Sequence, residues 1–452
     1  MAKSLSSNAA PWRLSWDAIL FAALWGAQFW SSELSGYLIP TRDIGLTMLI
    51  HLTRVMSYDP FPALLLLTLL AYLGADVWLR GRQQMNVKLI AVWLTIIAFV
   101  LIPTVAAILY RHNSAPHLYI HDGAIQAEEA IKFLLAGSNP YAEDYLNTPM
   151  ARWSYRESGV TVNPALYHLP YLPLTFLAGV PFYFLSQFAL GWYDQRFVYL
   201  LMFVALVLLL LRLGRTPRDK LAMVMLVALT PLFVPFFIEG RNDIVPLFWL
   251  IGSIYSLQRG RADWAGVWLA CAAVSKQTAW FMLPFFALYV LAPAQQSNWR
   301  DLARRAHVFI PAIILFVVIV APFVTWNPAA FMEDVINFQS GISAGPTNYP
   351  IKSLGLGSLA VGFGLVEKIT DPFPFSIFQI GLSGLTLAIL LARQWRNNTL
   401  AQMTINYAIL FFVSAFFSRT FNNNHLGFAL IWFFLPTFLA DSDPLARAEA
   451  TS

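Results

Sequence analysis

The chain predicts an all-α, polytopic membrane fold of about 12 transmembrane helices, with a large outer loop that holds juxtamembrane helices. Three observations predict it. Of 452 residues, 58% are apolar, 15% aromatic and only 12% charged, about half the charged fraction of a soluble domain. Apolar runs that approach or reach the ~20 residues of a membrane crossing recur from end to end. Lys and Arg gather in short links between alternate runs, the pattern of cytoplasmic loops. The length left over gives no room for a separate soluble domain of ordinary size. Cys271 is the single cysteine and lies in an apolar run, which excludes an intrachain disulfide and argues against a thiolate metal site.

The first apolar run, 14–30, follows Lys3 and Arg13. It has no small-residue cleavage site and many spans follow, so it is expected to be an uncleaved anchor. Further spans are expected at 61–79, 89–110, 196–213, 220–238, 243–258, 262–275, 278–292, 306–325, 373–392, 400–417 and 425–440. Arg80, Arg82 and Lys88 form one basic loop, and Arg212, Arg215, Arg218 and Lys220 another. Arg259 with Arg261, Arg300 with Arg304 and Arg305, and Arg393 with Arg396 follow. With both termini inside, all of these fall on the cytoplasmic face, provided the apolar run 169–192 does not cross. That run carries Pro170, Pro173, Gly179 and Pro181, which suits helices lying in the interface. Asp17 and Asp76 fall within spans, and Asp76 is expected to reach Arg80 one turn on. The long segments 31–60, 111–195 and 326–372 are then outside, so the polar machinery is expected on the outer face of the plasma (inner) membrane. The inner basic charge fits anionic membrane lipids and not nucleic acid.

Four outer motifs carry the chemistry. The run His121 to Tyr141 opens on Asp122. Ile125, Ile131, Leu134 and Leu135 then keep helical spacing, and Gly137 and Asn139-Pro140 end the helix. Asp122 reads as the N-cap of that helix or as a general base above the membrane. Glu128 and Glu129, with Lys132 one turn from Glu128, read as a solvated face. In Glu239-Gly-Arg-Asn-Asp243, Arg241 suits a phosphate and Asp243 a sugar hydroxyl or a cation, or the whole is a solvated turn. Lys276 has no acidic neighbour in sequence, and either snorkels to headgroups or meets an anionic ligand. Ser418 to His425 sets Arg419, three asparagines and His425 in one turn, either a sugar or phosphate site or simply a polar link. His168 reads as a structural histidine. No Walker loop, dinucleotide fingerprint or zinc spacing is present.

In this order the motifs resemble the GT-C superfamily of membrane glycosyltransferases, in particular its polyprenyl-phosphate-mannose-dependent mannosyltransferase-like branch. Asp122 in His-Asp-Gly-Ala-Ile-Gln resembles the catalytic aspartate of that family's first outer loop. Leu135-Ala-Gly-Ser-Asn-Pro-Tyr141 resembles the turn that follows it. Tyr171 to Pro181 resembles the proline-bearing juxtamembrane helix, Asn242-Asp243 a later outer aspartate, Ser275-Lys-Gln-Thr278 a lysine turn, and Phe421 to His425 the asparagine-rich turn before the last helix. The likeness covers 89–440, so 1–88 reads as a two-span addition and 441–452 as a cytoplasmic tail. One departure is that His121 stands where the family often carries a second acid. Asp243, Glu128, Glu143 and Asp144 are the alternatives for that role.

The resemblance implies inverting transfer of a hexose such as mannose from a polyprenyl-phosphate-linked donor to a lipid, glycan or protein acceptor. Asp122 would be the base. Arg241, Lys276 and Arg419 would bind the donor phosphate. His121, Gln126, Asn139, Tyr141, Asn242, Asn423 and His425 would bind sugar or acceptor. Tyr167, Tyr171, Phe176 and Phe182 would form an aromatic wall, and a divalent cation is a candidate cofactor. Two other classes make different demands. A lipid or sugar transporter or flippase needs polar groups through the spans, and an inactive assembly subunit needs no convergence of Asp122, Arg241 and Lys276.

Overall fold

The apolar runs become helices because a chain in hydrocarbon must satisfy its own backbone. The computed structural model describes residues 14–38, 61–155, 160, 162–291, 305–343 and 349–439, and is 74% helical with almost no strand. The helices are α1 (Trp16–Leu38), α2 (Phe61–Trp78), α3 (Gly81–Asn113, with a π-turn at Ile97–Leu101), α4 (Asp122–Leu135), α5 (Leu174–Leu177) and α6 (Val180–Leu190). They continue as α7 (Arg196–Leu213), α8 (Pro217–Ala228), α9 (Val234–Glu239), α10 (Ile244–Gln258), α11 (Ala262–Ala273), α12 (Leu283–Leu291) and α13 (Phe309–Trp326). A bent stretch, α14 (328–340), precedes α15 (Leu356–Gly362), α16 (Phe375–Arg396), α17 (Leu400–Phe416) and α18 (Asn423–Phe434). The termini, Lys3, Arg13, Arg300, Arg304, residues 39–60 and the 441–452 tail lie outside the described residues.

The chain is thus a helical membrane protein. Among the described residues α3, α7, α13 and α16 are long and apolar enough to cross a membrane. Other expected spans are shorter or broken. The 220–238 run divides into α8 and α9 around Pro231 and Pro235, as proline interrupts a helix. The 169–192 run is not one rod but α5 and α6, with Phe188 92% exposed at its outer side, a shape suited to the interface. The core is formed by α7, α8, α10, α11 and α17. On α10, Gly252 lies so close to the Trp268 ring of α11 that a Cβ there would stand 2.2 Å from it, the close approach that small residues permit between membrane helices. The outermost helices, α13 and α16, present Ile313, Val318, Ile377 and Ile380 outward, an apolar surface suited to lipid.

Two expectations about charge are corrected here. Lys88 is not in a basic loop. It sits inside α3, fully buried, with Nζ 2.6 Å from Asp17 Oδ2 and 2.5 Å from Asp76 Oδ1. Asp76 therefore pairs with Lys88 and accepts from Ser15, while Arg80 donates to the carbonyls of Asp76, Val77 and Leu79. The reason is the two-residue turn between α2 and α3. It sets Asp76 and Lys88 face to face and leaves Arg80 over the C-terminal carbonyls of α2, which attract cations.

A second layer packs on this bundle. It consists of α4, α5, α6, α14, α15 and the connecting loops. A two-residue parallel pair, β1 (Lys352–Ser353) and β2 (Thr420–Phe421), sets Lys352 opposite Thr420. It ties the segment before α15 to the turn before α18.

Candidate active site

The site is built on a main-chain frame. The His121 N–H donates to the Glu239 carbonyl at 2.7 Å, joining the start of α4 to the end of α9. Arg196 Nη1 donates to the carbonyls of Tyr119 at 2.7 Å and Ile238 at 3.4 Å, on either side of that bond. Arg196 is gripped by Asp194 at 2.9 and 2.8 Å, and Asp194 also accepts from Arg111 at 2.8 Å. Arg111 in turn makes a two-pronged pair with Glu128 at 2.7 Å on each arm. This settles one earlier alternative. Glu128 is not on a solvated face but buried in an ion-pair network behind the frame, and Lys132 pairs with Glu129 instead, at 2.7 Å. Consecutive residues of a helix point about 100° apart, so the two glutamates face different neighbours.

Asp122 is the first residue of α4 and not its cap. His121 is the cap. The Gly123 N–H donates to Asp122 Oδ1 at 2.7 Å, His121 Nδ1 stands 2.9 Å from the same oxygen, and Asn163 Nδ2 donates to Oδ2 at 3.1 Å. Burial favours the neutral acid, but His121, Asn163 and the Gly123 amide outweigh it and hold the carboxyl well below the usual carboxylate range. Asn163 was legible only as part of an Asn-Pro turn. Its Oδ1 caps the short helix Pro164–Tyr167 by accepting from the Ala165 N–H at 3.1 Å, which leaves its Nδ2 for Asp122.

Asp122 opens on a cavity of about 890 Å³, within the range of small-molecule sites. Another wall of this cavity carries the Glu239–Asp243 link. Arg241 donates to Asn424 Oδ1 at 3.0 Å, lies 3.3 Å from Glu239 Oε2, and covers the Phe236 ring at 4.5 Å. Asn424 Nδ2 donates to Asp243 Oδ2 at 2.6 Å, and Lys276 Nζ donates to Asp243 Oδ1 at 2.5 Å and to Asn242 Oδ1 at 2.9 Å. Lys276 therefore meets an acid, Asp243, rather than lipid headgroups. Burial would raise the Asp243 carboxyl, but Lys276, His425 and Asn424 hold it well below the usual range. Asn242 Nδ2 is buried without a partner among the described residues.

Of the other expected site residues, His121, Gln126, Asn423 and His425 line the cavity. Gln126 uses its amide on the carbonyls of Ala165 and His168, and His425 Nδ1 accepts from the Asn422 N–H at 3.3 Å. Arg419 also lines it, but its guanidinium donates to the carbonyls of Tyr349, Ile369 and Asp371. Burial brings its pKa down to about 10, and the side chain ties down the segments on either side of α15. Asn139 and Tyr141 lie behind the cavity, where Tyr141 Oη donates to the Tyr171 carbonyl at 2.7 Å. Glu143 is half-buried and Asp144 exposed, and neither reaches the cavity. Lys352, exposed beside the β1–β2 pair, does line it. No local sequence signal marked that lysine, since only the pairing with Thr420 brings it there. His168 is structural, as expected. Its Nδ1 is 2.8 Å from Asp334 Oδ1, and its ring stacks on Phe338.

A divalent cation does not fit the carboxylates of this cavity. Both oxygens of Asp243 accept from Lys276 and Asn424, and both of Asp122 face nitrogen donors. A hard cation prefers several free oxygens. Among the described residues no group of three or more His, Cys, Asp or Glu is placed to hold one.

No curated protein matches the chain. The model of glycosyltransferase family 87 matches residues 168–418, more than half of the chain, a span that includes Tyr171, Arg241, Asp243, Lys276 and most of the cavity wall. A polar, acid-bearing cavity on a helical membrane scaffold is consistent with that match, and the chain belongs to glycosyltransferase family 87.

Proposed function

We propose that the chain transfers a hexose, such as mannose, from a polyprenyl-phosphate-linked donor to an acceptor hydroxyl at the outer face of the plasma membrane, with inversion. The observation that carries this reading is Asp122, an ionised carboxylate at a helix start, facing a cavity whose other walls bear Arg241, Lys276 and Lys352. In the proposed reaction the acceptor O–H gives its proton to Asp122 as its oxygen bonds to the anomeric carbon. The bond from that carbon to the phosphate oxygen breaks, and its electron pair leaves with the polyprenyl phosphate. Attack and departure on opposite faces invert the centre. Positive charge beside the departing phosphate lowers the barrier. Arg241 is suited to this, because Asn424 and the Phe236 ring hold its guanidinium in place. Arg419 is assigned no phosphate contact, since its donors are used on carbonyls. The apolar branch of the cavity, past Trp280, Phe281, Phe375 and Phe411, gives room for the first prenyl units. The acceptor is a lipid, glycan or protein hydroxyl.

The test is Asp122→Asn, assayed for sugar transfer from polyprenyl-phosphate sugars in membranes. Transfer is expected to fall by about 10²- to 10⁴-fold, the usual contribution of a positioned base. Wild-type turnover at normal expression would overturn the assignment.

A further inference from the structure

The segment from Ala165 to Tyr171 leaves the short helix Pro164–Tyr167 as irregular backbone, and side chains from four separate parts of the chain hold it. Gln126 of α4 donates to the carbonyls of Ala165 and His168, both at 2.7 Å. The Leu169 N–H donates to Asp334 Oδ2 at 2.8 Å. Gln277 donates to the Pro170 carbonyl at 3.1 Å, and Tyr141 Oη to the Tyr171 carbonyl at 2.7 Å. Buried irregular backbone must find such partners, but so many in seven residues also fix where each side chain points. Tyr171 points into the cavity.

Its hydroxyl makes no hydrogen bond to the described residues. Four other tyrosines of this region are paired, as buried phenols generally are, while Tyr199 Oη, fully buried and off the cavity wall, also lacks a partner among the described residues. Tyr141 donates to the Tyr171 carbonyl, Tyr145 to the Pro140 carbonyl, Tyr193 to Gln195, and Tyr407 to the Thr278 carbonyl. The Tyr171 hydroxyl instead abuts the first turn of α4. A Cβ on Gly123 would stand 2.3 Å from its oxygen and 3.0 Å from Cζ. Glycine weakens a helix relative to alanine, and here its missing side chain is what admits the phenol beside Asp122. Burial and the carboxylates of Asp122 and Asp243 push the phenol well above its ordinary pKa, so it stays a neutral donor.

We infer that Tyr171 is a substrate-binding residue: its hydroxyl donates a hydrogen bond to an oxygen of the donor's sugar-phosphate head group, next to the Asp122 carboxylate. A ring that served only as an aromatic wall would need neither the hydroxyl nor the glycine opposite it. This inference rests on the transferase reading above.

The test compares wild type, Tyr171→Phe and Asp122→Asn in reconstituted liposomes. The donor is a short-chain polyprenyl-phosphate mannose, and the matching polyprenyl monophosphate serves as competitor. Tyr171→Phe keeps the ring and is expected to keep the unfolding midpoint, while kcat/KM falls about 10- to 100-fold, the scale of one hydrogen bond to a charged or reacting group. If the competitor weakens in parallel, the contact is to phosphate. If only the sugar-bearing donor is affected, the contact is to the sugar. Either pattern supports the inference. Wild-type kcat/KM in Tyr171→Phe, with Asp122→Asn inactive, overturns this inference alone. Absence of transfer by wild type overturns the transferase reading itself.

Discussion

Asp122 is a carboxylate prepared by its neighbours. Burial opposes its charge, and His121, Asn163 and the Gly123 N–H together more than offset that opposition. Because the folded carboxyl titrates lower than an unfolded one, its contribution to stability is present above the ordinary value of about 4 and lost as pH falls through the lower folded value. A base must be ionised to act, so the acid limb of kcat/KM is expected below about pH 4. Asn163→Ala removes one donor to the charged form and should move that limb upward by about one pH unit. A pH–rate profile with an unmoved limb would show that Asn163 does not tune the base. The sequence marked Asp122 but not this environment. The same side chain was legible as a cap or as a base, and the cap half of that choice falls away because His121 takes the cap.

Between elements, the buried Arg111–Glu128–Asp194–Arg196 network ties α3, α4 and α7 to the frame that carries Asp122 and Arg241. Removing one member of such a network leaves a buried charge uncompensated and costs about 3–5 kcal/mol. Arg196→Ala should therefore lower the unfolding midpoint in detergent strongly. Arg196→Lys, which keeps the charge but loses the planar fork, should fall between it and wild type. Equal midpoints for all three proteins would remove the network from the account of the frame. None of this was legible from spacing. Glu128 looked like half of an i, i+4 pair with Lys132, and the residue it meets, Arg111, precedes it by 17 positions on another helix.

At the scale of the molecule, the N-terminal helices dock on the body through α8, and Arg218 of that helix stands 3.5 Å from Asp17. The buried Lys88 joins α1, α2 and α3 by holding Asp17 and Asp76 together. Lys88→Met should destabilise by about 3–5 kcal/mol, by stranding two acids. Adding Asp17→Asn and Asp76→Asn should restore much of the loss, since contacting residues are not additive. Thermal unfolding of the single and triple variants measures this, and a triple variant no better than the single would argue against charge as the cause. Helices, apolar character and the sidedness pattern of Lys and Arg were open to inspection in the chain. The packing of α1 and α2 onto the rest was not, because Asp17 meets Arg218 from a distant part of the chain.

The sequence by itself determined what short-range rules determine. Hydropathy makes membrane helices, proline divides the 169–192 run, and Asp122 is set at the start of α4. These follow from neighbours within a few residues. The tertiary structure alone decided which charges meet. Asp243 finds Lys276 across 33 positions and His168 finds Asp334 across 166. It also removed Glu143, Asp144, Asn139 and Tyr141 from the cavity, and brought Lys352 and the Tyr171 hydroxyl into it. The physical reason is that a charge or a hydroxyl acts through space over a few ångströms, and sequence spacing reports such distances only within one helix or turn.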